Sequence, residues 1–290
     1  MRTLRWMVFL CCNMTDKLAE LLELLDIEKV EENLFRGYHP KGRTGRLFGG
    51  QIMAQALMGA ARTVEVERTV HSLHGYFLRP GDPLLPAVIS VERIRDGRSF
   101  TTRRVVVMQH GEAIFNLEAS FQVAESGFDH QLPKPDLVPP HPEKIPDLLY
   151  DDAFVSFRHE FRRLQSDTPQ PPEQFVWFKT NGRVPRDPLL HACLLVYESD
   201  SALLGTSRLP HRGKFQREDM QVASLDHAMW FHRPVDVTDW LLYAIDSPST
   251  SGSRGFTRGS IYTEDGILVA STVQEGLIRL RSMNRKSAQS

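Results

Sequence analysis

The chain has 290 residues and is nearly neutral, with 35 Lys and Arg against 36 Asp and Glu. Because a protein that neutralises phosphates needs a basic surplus or a basic patch, we expect no general nucleic-acid binding. The composition is that of a globular protein, and no run approaches the ~20 apolar residues that a membrane-spanning helix requires. Three cysteines cannot build a disulfide framework, so the sequence favours a reducing compartment, with the cytoplasm as the expected location.

The chain begins with a segment that does not fit the rest of the sequence. Residues 1–13 combine two arginines with a short apolar run, but they lack the small-residue cleavage site of a signal peptide. We expect this segment to be a non-native or misassigned start, with Met14 as the true beginning. Leucines at helical spacing over residues 18–25 then predict an amphipathic helix.

The next elements are a short extended segment at residues 33–38, a helix and further strands. The run from Gly49 to Arg62 is nearly free of polar residues and predicts a buried helix. Alternating apolar and polar residues predict four strands after it, with turn signals at Arg95-Asp-Gly-Arg98 and His110-Gly111. The predicted strands cover residues 70–77, 85–94, 100–109 and 113–123.

A proline-rich segment then divides the chain almost in the middle. Residues 132–147 contain six prolines, which favour an extended connector because proline fixes φ and removes a backbone donor. The segment separates an N-terminal unit, residues 14–131, from a C-terminal unit, residues 148–290.

The second unit repeats the order of the first. Asp187 and Pro188 are an N-cap and an N1 proline, and they predict a helix that continues to Leu203. One strand precedes this helix and four follow it, at residues 174–180, 221–232, 241–246, 256–263 and 267–280.

Matching motifs indicate that the two units are copies. Val70-His-Ser-Leu-His74 precedes Phe77-Leu-Arg-Pro-Gly-Asp82, just as Val222-Ala-Ser-Leu-Asp226 precedes Phe231-His-Arg-Pro-Val-Asp236. One helix followed by an antiparallel meander, made twice, is an α+β layer architecture. A buried helix wrapped by such a sheet is the layout of the hotdog fold. We therefore predict a double hotdog, in which two tandem repeats form an internal pseudo-dimer.

Several common chemistries have no support in the sequence. His71 and His74 lie on opposite faces of a predicted strand, and no histidine has the Cys or acidic spacing of a zinc site. Neither a G-x-S-x-G elbow nor a nucleotide-binding glycine loop occurs. Cys193 lies in an apolar helix, where an inert buried thiol is expected. None of these common chemistries is therefore visible in the sequence.

Three polar residues of the second unit remain in apolar surroundings. Asp200 lies near the end of the predicted helix, where a carboxylate opposes the helix dipole. Ser224 precedes Leu-Asp-His, and Gln274 shares a strand face with Thr272. Taken singly, each has an ordinary explanation, namely a solvated helix end, a turn residue or a solvent-facing side chain.

Several long segments, in order, resemble the acyl-CoA thioesterase II family over residues 20–281. They are Leu47-Phe-Gly-Gly-Gln51, Val70-His-Ser-Leu-His74, Phe77-Leu-Arg-Pro-Gly-Asp82, Leu225-Asp-His227, Trp230-Phe-His-Arg-Pro234 and Ser271-Thr-Val-Gln-Glu-Gly276. The resemblance implies a double hotdog that hydrolyses fatty acyl-CoA without a cofactor and forms homo-oligomers. It also implies that Asp200, Ser224 and Gln274 are catalytic, with Ser224 where some relatives have Thr.

The expected mechanism is attack by water, with Asp200 as general base and with Ser224 and Gln274 orienting the water. Direct attack by Ser224 is the competing mechanism. Gly49 and Gly50 supply either oxyanion-binding N–H groups or close helix packing. Because the first-unit helix has no carboxylate, we expect one active site. A hotdog hydratase or dehydratase and a non-catalytic acyl-CoA-binding protein are the alternatives.

Overall fold

The computed structural model describes residues 15–40, 42, 45–141, 152–158 and 167–281. Residues 1–13, Met14 and the last part of the predicted linker, residues 142–147, lie outside this description. In the first half, one helix and two short strands precede a buried helix and four long strands. They are α1 (Asp16–Leu25), β1 (Glu28–Glu31), β2 (Leu34–Gly37), α2 (Gly49–Ala61), β3 (Arg68–Phe77), β4 (Ala87–Asp96), β5 (Phe100–Gln109) and β6 (Glu112–Val123).

The second half has a similar order of elements, with one more helical turn and one more strand after its first two strands. Two strands precede a buried helix and a single helical turn, and five strands follow. They are β7 (Phe154–Arg158), β8 (Glu173–Thr180), α3 (Pro188–Ser199), α4 (Leu203–Thr206), β9 (Met220–Ser224), β10 (Asp226–Phe231), β11 (Leu241–Ser251), β12 (Arg254–Thr263) and β13 (Leu268–Leu280).

All of these strands belong to one antiparallel sheet. Its order is β1-β2-β4-β5-β6-β3-β10-β13-β12-β11-β8-β7, with β9 paired to β13. Outward from the central β3–β10 pair, the first half runs β3-β6-β5-β4-β2-β1 and the second half runs β10-β13-β12-β11-β8-β7, so the two sides mirror each other. In that pair His74 lies opposite Ala228, and each lies three residues before the Phe of its F-x-R-P-x-D run. The two halves are therefore joined by a pairing that is symmetric about equivalent residues.

The buried helices of the two halves pack against each other and share one core. Every residue of α2 from Gly50 to Ala60 is buried, as the apolar run predicts. Side chains from both halves, among them Leu57 and Leu194, belong to a single hydrophobic cluster. Because the core is continuous, the halves do not form independent domains. Within the described ranges, no helix has both the length and the apolarity to cross a membrane.

The structure ends one predicted helix earlier, divides one predicted strand, moves several other strand ends and adds two strands. The helix predicted to reach Leu203 ends at Ser199, because Asp200 and Ser201 form a turn whose N–H groups both bond to Glu198 O. The strand predicted over residues 221–232 is divided into β9 and β10 at Leu225. The strands β1 and β7 were not predicted, since both are short and lie at the two ends of the sheet.

The described part of the linker, residues 132–141, contains no helix or strand. Leu137 packs against a second apolar cluster formed by Trp177, Leu242 and Tyr262. The Nζ of Lys134 lies 5.5 Å from the centre of a Trp177 ring. Because side chains alternate along a strand, Trp177 faces away from its neighbours in the main core. The linker therefore covers the sheet face opposite the buried helices.

Candidate active site

The first component of the site is a carboxylate between two helix ends. The N-cap Asp187 begins α3 by accepting bonds from two backbone N–H groups, and Asp200 is the C-cap. A negative charge at a helix C-terminus is unfavourable. However, Asp200 Oδ2 accepts a bond of 3.1 Å from the N–H of Gly50, at the N-terminus of α2. The N-cap of α2, Phe48, makes no side-chain cap bond. The carboxylate of the second half thus caps the helix of the first.

Two glycines allow this approach. A Cβ on Gly50 would lie 2.1 Å from the carbonyl oxygen of Tyr197, and one on Gly49 would lie 2.7 Å from Asp200 Oδ2. Any larger residue at position 50 would separate the two helices. The contacts therefore support the close-packing interpretation of this glycine pair. An oxyanion-binding role for Gly49 and Gly50 stays a prediction.

The second component is an irregularity in the sheet. Ser224 pairs with Gly276, but Ala228 pairs with Val273, so one extra residue lies on the β9–β10 side. Such bulges bend a strand and change the direction of a side chain. Because alternate residues share a face, Ser224, opposite Gly276, lies on the same face as Gln274. The break at Leu225 therefore positions Ser224 beside Gln274.

These residues form a hydrogen-bonded chain that ends on Asp200. The Nε2 of Gln274 donates to Ser224 Oγ at 2.8 Å, and Ser224 Oγ donates to Asp200 Oδ1 at 3.4 Å. The Oε1 of Gln274 faces Nδ1 of His227 at 2.8 Å. The structure thus brings together Asp200, Ser224 and Gln274, as well as one residue to which the sequence analysis assigned no role, His227. The Leu225-Asp-His227 segment was the only signal for it.

Burial determines the electrostatics of this cluster. Burial raises the pKa of Asp200, while the charge of His227, the Gly50 N–H, the Gln274 amide and the Ser224 hydroxyl lower it. Burial also lowers the pKa of His227, against the opposing charge of Asp200. The result is a carboxyl group that is more basic than an exposed one, held in place by several donors. Such a group accepts a proton more readily than an exposed carboxylate does.

A cavity of about 250 Å³ lies beside the C-terminal end of α3. Its lining includes Phe48, Phe154, Tyr197 and Glu198, but none of the three predicted site residues. Glu198 is buried and accepts hydrogen bonds from two serine hydroxyls, at 3.3 and 3.0 Å. Burial raises the pKa of Glu198 to about 7. No motif in the sequence points to this carboxyl group.

Other reactive groups do not join the site. Cys193 is buried, and burial raises the pKa of its thiol, so it stays protonated. His71 bonds to Ser120 Oγ, whereas His74 contacts the ring of Trp230. Among the residues that the structure describes, no group of three or more His, Cys, Asp or Glu side chains is arranged to hold a metal ion.

Comparison of the sequence with known families gives two matches. A family described as "Acyl-CoA thioesterase" matches residues 150–277, and one described as "Acyl-CoA thioesterase N-terminal domain" matches residues 38–122. The chain is 39% identical to Acyl-CoA thioesterase 2 of Haemophilus influenzae, covering 92% of this chain and 99% of that protein. It is also 39% identical to human Acyl-coenzyme A thioesterase 8, over 89% of this chain and 88% of that protein.

Solved structures resemble the fold over a similar extent. The acyl-CoA thioesterase II TesB2 of Mycobacterium marinum is 45% identical, with a TM-score of 0.79 over 90% of this chain and 97% of that one. A hot dog fold protein of unknown function from Alicyclobacillus acidocaldarius is 19% identical, with a TM-score of 0.74 over 90% of this chain and 98% of that one. The fold is therefore of the hotdog type, with a large antiparallel sheet around buried helices.

Proposed function

Because the chain belongs to the acyl-CoA thioesterase family, we propose that it hydrolyses acyl-CoA thioesters to a free acid and CoA at the cluster of Asp200, Ser224 and Gln274. One observation carries the assignment of the site. A half-buried carboxylate accepts bonds from a backbone N–H and a hydroxyl, and that hydroxyl is held in turn by a carboxamide. This arrangement provides a base and two polar groups that can orient a water molecule.

We further propose a double hotdog with one active site. Residues 14–131 and 148–290 are the two repeats, and residues 132–147 connect them. The symmetric pairing of β3 with β10 and the mirrored strand order support this division. The C-cap of α2 is Arg62, whereas that of α3 is Asp200, so only the second repeat supplies a carboxylate at this position. The first repeat contributes the N–H of Gly50.

In the proposed reaction, the Asp200 carboxylate takes a proton from water while the water oxygen attacks the thioester carbon. The tetrahedral intermediate then breaks its C–S bond, and the CoA sulfur leaves with the proton returned by Asp200. The 3.4 Å contact between Ser224 Oγ and Asp200 Oδ1 is long for a hydroxyl bonded to a carboxylate. This weak contact leaves the second acceptor site of the hydroxyl oxygen for a water molecule that lies against both groups.

Attack by Ser224 itself is the weaker mechanism. A serine nucleophile requires an adjacent base, most often histidine. In the described ranges no histidine ring bonds to Ser224, and the His227 ring bonds to Gln274 and Ser199 instead. An acyl-enzyme trapped at Ser224 and identified by mass spectrometry would replace the water mechanism.

The test is release of free thiol from acyl-CoAs of several chain lengths. Asp200→Asn should reduce kcat by on the order of 10²- to 10⁴-fold, because it removes the proton acceptor. Asp246→Asn, at an exposed carboxylate on β11, is the matched control and should keep the parental rate. Full activity in Asp200→Asn, or no thiol release from any acyl-CoA, would refute the proposal. In that case, hydration of enoyl-CoA and binding of acyl-CoA without turnover are the two outcomes to measure.

Self-association and a cytoplasmic location stay predictions from the sequence. Light scattering of the purified protein measures the first, and fractionation of cells that express the full chain measures the second.

A further inference from the structure

A buried histidine lies at the start of the hydrogen-bonded chain that ends on Asp200. His227 is the second residue of β10, and none of its surface is exposed. Its Nδ1 lies 2.8 Å from Gln274 Oε1, and its Nε2 lies 3.1 Å from Ser199 Oγ. Between described residues, no hydrogen bond joins the ring to Asp200 or to Ser224. Apart from the charge that an imidazolium would place near Asp200, the hydrogen-bonded route from His227 to the site therefore passes through Gln274.

The position of the ring proton determines which way the Gln274 amide points. The amide has one oxygen acceptor and one NH₂ donor. Its NH₂ donates to Ser224 Oγ, so its oxygen faces His227 Nδ1 and requires a proton there. If Nδ1 were unprotonated, two acceptors would lie 2.8 Å apart. The amide would then turn and present its oxygen to Ser224, which would draw the serine proton away from Asp200.

We propose that His227 is a positioning residue, whose Nδ1–H orients the Gln274 amide and thereby directs the Ser224 hydroxyl toward Asp200. All donors in the chain then point one way, from His227 to Gln274, to Ser224 and to the carboxylate. The catalytic consequence rests on the proposed function, whereas the ring tautomer is a property of the free protein.

Ser199, on the other side of the ring, can accept either tautomer. Its hydroxyl lies 2.8 Å from Val196 O and 3.1 Å from His227 Nε2, and it has one proton to donate. If the proton goes to Nε2, the ring is neutral with Nδ1–H. If it goes to Val196 O, Nε2 must carry a proton, and the ring is either a neutral Nε2–H tautomer or an imidazolium. Burial disfavours the imidazolium, and only the contact between Nδ1 and the Gln274 oxygen favours the Nδ1–H tautomer over the Nε2–H tautomer.

The tautomer is measured directly by heteronuclear NMR on the unmodified protein with isotope-labelled histidine. The His227 signals are identified by their loss in His227→Asn. We expect a protonated Nδ1 whether the ring is neutral or charged. A neutral ring protonated at Nε2 would overturn the proposal. This measurement does not depend on activity or on the folding of a catalytic variant.

Two substitutions separate positioning from a structural role. In His227→Asn the side-chain amide nitrogen lies near the position of the ring Nδ1, whereas in His227→Gln it lies near the position of the ring Nε2. We expect His227→Gln to lower kcat about 10- to 100-fold, the range typical for loss of an outer group that orients a functional one. KM should not change, and His227→Asn should keep most of the parental kcat. Equal losses in the two variants, or a parental kcat in His227→Gln, would refute positioning.

A double variant tests the route through Gln274. In a Gln274→Ala background, His227→Gln should cause no further loss of kcat, because the group on which it acts is absent. The same fold-loss in both backgrounds would indicate a purely structural role. Failure of this proposal remains distinct from failure of the proposed function. If Asp200→Asn is inactive but His227→Gln is fully active, only the positioning role is wrong; if Asp200→Asn is active, the catalytic assignment itself is wrong.

Discussion

The contact between the two buried helices gives a sharp prediction, because a single methyl group cannot fit there. In Gly50→Ala the new Cβ would lie 2.1 Å from the backbone oxygen of Tyr197 and 2.6 Å from the ring of Phe48. Ordinary contacts of a Cβ begin at 3.4 Å. Since the nearer atom belongs to a helix backbone, the N-terminus of α2 and the C-terminus of α3 must separate by about 1 Å.

This displacement acts on the carboxylate. The Gly50 N–H bond to Asp200 Oδ2 is 3.1 Å long, so a separation of about 1 Å breaks it. A misplacement of about 1 Å at a catalytic group typically costs about 10²-fold in rate. We therefore expect kcat/KM to fall at least about 100-fold. Overpacking should also lower the free energy of unfolding by about 1–3 kcal/mol, which leaves the protein folded.

Gly59→Ala is the matched control in the same helix. Its Cβ would lie 3.0 Å from the methyl group of Ile89, which is the end of a side chain, and no atom of Asp200 is among its three nearest neighbours. The gain in helix propensity, about 1 kcal/mol, offsets a small repacking cost. Thiol release and denaturant unfolding are measured on both variants. If Gly50→Ala keeps the parental kcat/KM and stability, the close approach of α2 and α3 is wrong.

Three further predictions concern groups away from the reacting atoms. The shift of the Glu198 pKa from 4.5 to about 7 means that the folded state binds this proton more tightly than the unfolded state, so stability falls as the pH rises between those values. The difference in unfolding free energy between Glu198→Gln and the parent should therefore shift by about 3 kcal/mol in favour of the variant when the pH rises from about 4 to about 8. Denaturant titrations at several pH values measure this difference, and a difference that does not change with pH would contradict the prediction. Arg103 is buried and donates hydrogen bonds to Thr63 and Asp96. Arg103→Ala should therefore lower the free energy of unfolding by about 3 kcal/mol. The side chain of Arg104 is half-exposed, so Arg104→Ala is the control and should change this free energy by less than about 0.5 kcal/mol. Because Cys193 is buried and protonated, it should not react with a disulfide reagent in the folded protein. Cys193→Ser should therefore lower the number of reactive thiols by one in the unfolded protein and leave the number in the folded protein unchanged. A lower number in the folded variant would contradict the burial of Cys193.

Local sequence patterns predicted most of the elements. The apolar run after Gly49 is a buried helix, and the alternation over residues 113–123 is a strand that begins one residue earlier. His110 and Gly111 form the predicted turn, and both have positive φ. These features were predictable because each depends on the period of side chains along a few consecutive residues.

The break at Leu225 and the role of His227 were not predictable in the same way. The residues around Leu225 alternate well enough to suggest one strand, and only pairing with β13 places an extra residue there. His227 has no local signal that distinguishes it from a core histidine. Its hydrogen bonds reach residues 28 and 47 positions away in the chain.

The sequence by itself indicated the order of helices and strands in the two halves, the family and the three polar residues proposed for the site. Only the tertiary structure decided that the Asp200 carboxylate lies at the N-terminus of the other half's helix, that a bulge places Ser224 beside Gln274, and that His227 completes the chain of donors. The physical reason is one of range. Hydrophobic period and turn chemistry act between neighbours, whereas the Gly50–Asp200 bond joins residues 150 positions apart and forms only where the two buried helices meet.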